Sequence, residues 1–401
     1  MRFPEFNGEW QHTTIGDCCS PLEYGMNAPA KEYDGANKYI RITDIDEDTC
    51  TYKCDDVVSP NAQLEDKYKV RKNDILFART GASTGKAYLY NEKDGLMYYA
   101  GFLIRGSVKP AYNAKFVFLQ TQTQKYKKWV DIMSIRSGQP GINSQEYSGF
   151  KFHLPPLKVE QDKISTLFTL LDERITTQIR IIDKLKSLMQ GLNNELMDNP
   201  KWEKVYVGDF MEFYSTNSFS WEQLNYDNGQ VRNLHYGLIH SGLPTLVDCQ
   251  KAHLPYIQVD SLPKQYSICK DGDVALADAS EDTAEVGKTV ELTNIETQTI
   301  VCGLHTIHGR DCKDITVNGF KGFAFNSKYF HDQLRRIAQG SKVYSINTDN
   351  VRSCYLYIPT IAEQQKIVGL LRCMQEKIKV AEHGLQLYEA QKQFLLRGLF
   401  V

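Results

Sequence analysis

Hydrophobic spacing divides the chain into four stretches. In the second and fourth, core-type residues recur in alternating steps of four and three. Ile164, Phe168, Leu171, Ile175, Gln178, Ile182, Leu185, Met189, Leu192 and Leu196 form one series; Ile367, Leu371, Met374, Ile378, Ala381, Leu385, Tyr388, Lys392, Leu395 and Leu399 form the other. Such steps keep one seam facing a partner helix, so both stretches predict coiled-coil helices. Pro156 and Pro359 sit where these helices start, a place that tolerates proline because the first N–H groups lack partners anyway. Asn199-Pro200 stops the first helix. Gly191, Gly369, Gly384 and Gly398 each cost roughly 1 kcal/mol against alanine, so packing has to hold the helices together. Helices of about forty residues make rods of about 60 Å.

The other two stretches read differently. Runs at 39–46, 74–78, 86–90 and 98–104 are short, apolar or alternating, and broken by Gly, Asp and Asn, which predicts strands. Residues 113–135 and 326–338 predict helices. The expected order is globule (1–155), rod (156–200), globule (201–358), rod (359–401), of mixed α/β (α+β) class. The halves also repeat. Trp10…Gly16-Asp17 returns as Trp202…Gly208-Asp209, Asn73-Asp74…Ala78 as Gly272-Asp273…Ala277, Gly85-Lys86 as Gly287-Lys288, and Gly138…Ile142-Asn143 as Gly340…Ile346-Asn347. The sharpest match sets Pro156…Glu160-Gln161-x-Lys163-Ile164 against Pro359…Glu363-Gln364-x-Lys366-Ile367. The helix starts match at offset 203 and their Gly-Leu ends (Gly191-Leu192, Gly398-Leu399) at 207, so the second rod is expected to carry four extra residues.

Composition narrows the class. No run of about eighteen apolar residues is present, and the opening Met1-Arg-Phe-Pro-Glu-Phe lacks an apolar signal region; a cytoplasmic protein is expected. The ten cysteines include no Cys-x-x-Cys pair and are expected to be reduced thiols, mostly packed. Net charge is −2, which counts against a freestanding nucleic-acid binder. Residues 1–155 carry 20 basic and 19 acidic side chains, residues 201–358 carry 15 and 19. Any DNA contact by the second globule needs its positive charge gathered on one face, or phosphate contacts from partners.

Gly81-Ala-Ser83-Thr-Gly85 has the spacing of a nucleophile elbow, but a strand, not a helix, is expected after it, and the second repeat lacks it. A glycine-rich hairpin tip carrying Arg79 and Lys86 is the reading preferred. Cys302-x-x-His305-x-x-His308-x-x-x-Cys312 has zinc-ligand residue types. Three-residue steps along a strand send successive side chains to opposite faces, so no metal is expected. A strand projecting His305, His308 and Arg310 toward a partner is preferred. Lys125, Lys127, Lys128 and Arg136, with Tyr126 and Trp129, are echoed by Lys328, Arg335, Arg336 and Lys342, a solvated face or a phosphate contact. No Walker, methyltransferase or nuclease signature is found.

Two globules, each followed by a proline, a Glu-Gln-x-x-Ile start and a long heptad helix, resemble the specificity subunit of type I restriction–modification systems. The strongest parts are Leu154-Pro-Pro-Leu-Lys-Val-Glu-Gln161 and Ile358-Pro-Thr-Ile-Ala-Glu-Gln364. The resemblance implies two target-recognition domains reading a bipartite double-stranded DNA sequence, with the rods paired as an antiparallel coiled coil whose length sets the unread gap. It implies two methyltransferase subunits carrying S-adenosylmethionine, two endonuclease subunits that translocate DNA, and no catalytic residue or cofactor in this chain. The DNA-binding residues expected are Arg79, Thr80, Ser83, Lys86, Arg136, Ser137, Gln139 and Asn143 in the first half. In the second they are Lys288, His305, His308, Arg310, Lys342 and Asn347. Two alternatives stay open: a restriction or methylation enzyme with an unrecognised active site, and a coiled-coil adaptor that binds no DNA.

Overall fold

A computed structural model describes residues 2–47, 49–135, 138–283, 285–340 and 342–400. The chain divides into two compact units, Met1–Thr177 with Gly384–Val401, and Gln178–His383. The two long helices are α3 (Lys158–Met197) and α6 (Ile361–Leu399). They run 40 and 39 residues, so the expected four extra residues in the second are absent. Gly191 lies a turn and a half inside its helix, whereas Gly398 is next to last; the two Gly-Leu pairs are not equivalent positions.

In the first unit, β1 (Gln11–Thr14) pairs antiparallel with β6 (Lys151–Leu154). Between them lies a four-stranded sheet of β2 (Glu23–Tyr24), β5 (Leu103–Ser107), β3 (Asp74–Ala78) and β4 (Ala87–Leu89), in that order. The runs at 74–78 and 86–90 thus become strands. The run at 39–46 does not persist: after Lys38–Ile40 the chain turns at Ile42–Asp44, because Asp44 accepts from the Arg41 backbone and guanidinium. The run at 98–104 is cut by a turn into Met97–Tyr99 and β5, which belong to different sheets. Residues 113–135 form two helices, α1 (Ala114–Gln120) and α2 (Gln124–Met133). Thr121 ends the first, and Thr123 caps the second by accepting from the Tyr126 N–H.

The start of the first long helix and the end of the second close this unit's core. Ile164 and Phe168 cluster with Leu396, Leu399 and the globule's aromatics. Phe168 meets Phe400 while Asp172, four residues on, meets Lys392, so the helices run antiparallel here. Lys115 of α1 also binds Asp172. Seam residues Leu171 and Ile175 are buried.

The second unit repeats the plan. β7 (Glu203–Tyr206) pairs with β15 (Tyr355–Ile358) as β1 does with β6. A five-stranded sheet contains β8 (Met211–Tyr214), β14 (Thr306–Asp311), β11 (Val274–Ala277), β12 (Thr289–Thr293) and β10 (Leu246–Asp248). A further sheet contains β9 (Val231–Leu234) and β13 (Thr299–Cys302). Helices α4 (Phe320–Phe325) and α5 (Lys328–Ile337) follow β14 as α1 and α2 follow β5. Glu291 and Lys321 form an ion pair inside this core; Glu291 also accepts from the Gly319 and Gly322 N–H groups. Here Met189, Leu192 and Leu196 cluster with Ile367, Val368 and Leu371. Gln178 donates to the Ala381 carbonyl, so the late part of the first helix lies beside the early part of the second. Ile182, Met374 and Ile378 are buried; Leu185 here, and Leu385, Tyr388 and Leu395 in the first unit, are half-buried. Near the helix ends burial shifts to Asn193, Met197 and Leu396, one residue past the seam. A helix with 3.6 residues per turn drifts from a strict heptad, and each end also packs on a globule.

Candidate nucleic-acid interface

The repeated globules share one backbone frame around their hairpin tips. In the first, Gly85 N–H donates to Ala78 O, Arg79 N–H to Phe102 O, and Ile142 N–H to Arg79 O. In the second, Gly287 N–H donates to Ala277 O, Asp278 N–H to His305 O, and Ile346 N–H to Asp278 O. Arg79 and Asp278 therefore hold one frame position, and Phe102 and His305 another. The loop between anchors is three residues longer in the second copy. Gly85 and Gly287 both adopt positive φ (92° and 79°). A side chain at either would strike Val130 of α2 or Leu334 of α5, so the repeated glycine reflects close helix approach, not phosphate binding.

What the frame presents differs. On the first, the Arg79 guanidinium lies over the Tyr24 ring at 4.9 Å and donates to Gly101 O. It has no carboxylate within ion-pair distance among the described residues. Tyr24 Oη accepts from the Ser144 N–H, and Phe102 stands 58% exposed beside this group. Thr80 bridges to Gly141, Ser83 caps the tip by accepting from the Lys86 N–H, and Gln139 is exposed over Gly81. Lys86 is paired with Glu47 at 3.0 Å. Arg136 and Ser137 lie outside the described residues.

On the second frame, His305 takes positive φ (52°) and its Nδ1 is 3.1 Å from Asp278. Tyr236 meets His305 edge-on and stacks by His235, which lies on exposed Trp221. His240 sits 3.2 Å from the Ala279 carbonyl. Lys288 is paired with Glu285, and Lys342 is exposed.

Three expectations change. His308 does not project toward a partner: it is fully buried, with Nε2 2.7 Å from Asp273. Arg310 is clamped on the same carboxylate through two bonds of 2.7 Å and covered by Tyr214. Burial works against a charged His308 ring, and Asp273 together with Cys269 more than offsets it, raising its pKa to about 9. Asn143 and Asn347 are helix N-caps, each accepting from the N–H three residues on, for the helices Ser144–Ser148 and Thr348–Ser353. Their recurrence follows from the cap. Among the aromatics of α2, Tyr126 is buried against Phe150 and Trp129 packs on Tyr147, so the exposed Lys125, Lys127 and Lys128 are separated from them.

Tyr24, Phe102, Tyr236, His240 and Asp278 were not singled out from sequence. The repeat held one usable signal: offset 203 pairs Phe102 with His305.

Residues 7–187 match the family model described as "Type I restriction modification DNA specificity domain". Two solved structures share the fold over nearly the whole chain. One, described as "Structural basis underlying complex assembly and conformational transition of the type I R-M system", aligns with a TM-score of 0.59 at 15% identity, covering 98% of this chain and 97% of that one. The other, a type I restriction-modification system S subunit from M. genitalium, aligns with a TM-score of 0.59 at 12% identity, covering 100% and 99%. The chain is thus similar in sequence, over residues 7–187, to the DNA specificity domain of type I restriction–modification systems, and over its full length it shares the fold of a type I S subunit.

Proposed function

We propose that the chain reads a bipartite, asymmetric DNA sequence through two unlike faces built on one frame, residues 1–155 owning one half-site and 201–358 the other. The observation that carries this is the pair of equivalent positions: Arg79 and Phe102 on one copy, Asp278 and His305 on the other. A repeated frame with identical side chains would serve a palindrome; a repeated frame with opposite charge at one position serves two different half-sites. An arginine with no carboxylate partner among the described residues suits the paired acceptors of guanine, and an acidic group suits the amino donor of cytosine.

The specificity-subunit family is generally non-catalytic, and this chain supplies the address. The chemistry belongs to two methyltransferase subunits carrying S-adenosylmethionine and two endonuclease subunits, assembled in the cytoplasm. The long helices offer these partners apolar surface: Leu170, Leu387 and Phe394 are exposed in the first unit, Leu188, Leu370 and Val380 in the second. Among the described residues no helix is long and apolar enough to cross a membrane.

Replacing residues 1–155 by the corresponding domain of a relative tests the reading. Methylation mapped in a host carrying the chimera and its methyltransferase is expected to change in one half-site only, with the other half and the spacer retained. A pattern altered in both halves, or in neither, refutes it.

A further inference from the structure

Within the second unit the sequence motif at 302–312 is taken apart and partly rebuilt with a residue from outside it. Cys302 ends β13, His308 lies in the middle of β14, and Cys269 comes from the segment hydrogen-bonded to β13 through its N–H to Ile300 O. The two sulfurs are 3.6 Å apart. The ligand atoms of all three residues lie within 4.8 Å of one another, and all three side chains are buried. The motif's other members go elsewhere: His305 to Asp278, and Cys312 to the Phe210 carbonyl.

We propose that Cys269, Cys302 and His308 hold one zinc ion. Bonds of about 2.3 Å at a tetrahedral angle put two thiolates about 3.8 Å apart, close to the spacing already present. Asp273 supplies an independent sign. Its carboxylate, fixed by Arg310, takes the Nε2 side of the ring. That leaves Nδ1 buried, with no hydrogen-bond partner among the described residues, as the nitrogen open to a metal. A carboxylate on the far nitrogen is the arrangement that orients a metal-bound imidazole. Charge supports zinc over a monovalent soft cation. Two thiolates and a neutral imidazole around a dication sum to zero, and the Asp273–Arg310 pair also sums to zero, as a buried centre requires. The ion has three protein ligands, and the fourth position falls to one water. It ties β13 to β14, strands of two different sheets, directly across the turn that presents His305.

The test uses the full chain purified under reducing, chelator-free conditions, equilibrated with buffered zinc and measured by elemental analysis. Cobalt in place of zinc adds thiolate-to-metal absorption as a second readout on the unmodified protein. About one zinc per chain is expected, with cobalt charge-transfer bands. Cys269→Ser, Cys302→Ser and His308→Gln are expected to lower uptake at least tenfold, and Cys312→Ser to leave it unchanged. Zinc should raise the melting temperature of the wild type but not of Cys302→Ser. Failure of the folded wild type to take up zinc or show cobalt–thiolate bands overturns the assignment. So does uptake that survives Cys302→Ser or is lost in Cys312→Ser, or a chain isolated under these conditions with Cys269 and Cys302 joined as a disulfide.

Discussion

Arg79 and Asp278 occupy the same backbone position in the two repeats, so changing either alters chemistry while leaving the frame in place. Arg79 is held by Tyr24 and the Gly101 carbonyl but neutralised by no carboxylate among the described residues, whereas Lys86 already spends its charge on Glu47. Arg79→Ala is therefore expected to relax selectivity at one base pair by ~1–3 kcal/mol, and Lys86→Ala to change it far less. Binding of the assembled methyltransferase to single-base variants of the methylated site measures both, and equal effects from the two substitutions would contradict this ranking. At this scale the sequence was a partial guide. It located the hairpin tip and Arg79. It also raised Asn143, Asn347, Gly85 and Gly287 for their recurrence, which comes from capping and from close helix approach. His308 and Arg310 have the residue types of a binding surface, and only three-dimensional placement shows them turned inward to Asp273.

The Glu-Gln start of each long helix is a joint between elements. Gln161 accepts from the Asn113 N–H and donates to the Pro155 carbonyl. Gln364 accepts from the Val317 N–H and donates to the Pro359 and Ile315 carbonyls. Both amides are buried, so each locks a helix start to the preceding strand and to the loop entering the helix pair of the same globule. These bonds align Pro155, not Pro156, with Pro359; the first copy has one more residue between strand and helix. Gln161→Ala and Gln364→Ala are each expected to cost ~1–3 kcal/mol by leaving buried partners unpaired, with glutamate recovering only the accepting half. Chemical denaturation of the full chain checks this, and a loss within about 0.5 kcal/mol would show that the joints are incidental. Elements with sustained periodicity, the two long helices and the strand at 74–78, were legible because burial alone dictates them. The breaks at Arg41–Asp44 and Ala100–Phe102 were not, since a local hydrogen bond and a turn decide them.

For the molecule as a whole, the order of globule and long helix could be read from the repeat. How each core is completed could not, because heptads do not name their partners. If helix length sets the spacer, deleting seven residues within 175–188 and within 378–391 removes about 10 Å, or roughly three base pairs. The methylated sequence should keep its bases and lose that much spacer; an active variant with the original spacer would rule out the ruler. The composition of the first unit has another consequence, for synthesis. Its core includes Leu395, Leu396, Leu399 and Phe400, which leave the ribosome long after residue 177. At ordinary elongation rates that delay is roughly 10–40 s, during which the nascent first unit exposes an apolar surface its own contiguous residues cannot cover. Chains ending at residue 383 freeze that interval permanently. They are expected to bind a hydrophobic dye and to be cut by protease within residues 1–177 while the second unit resists. Equal resistance of both units would mean that the first unit matures without waiting for its last segment.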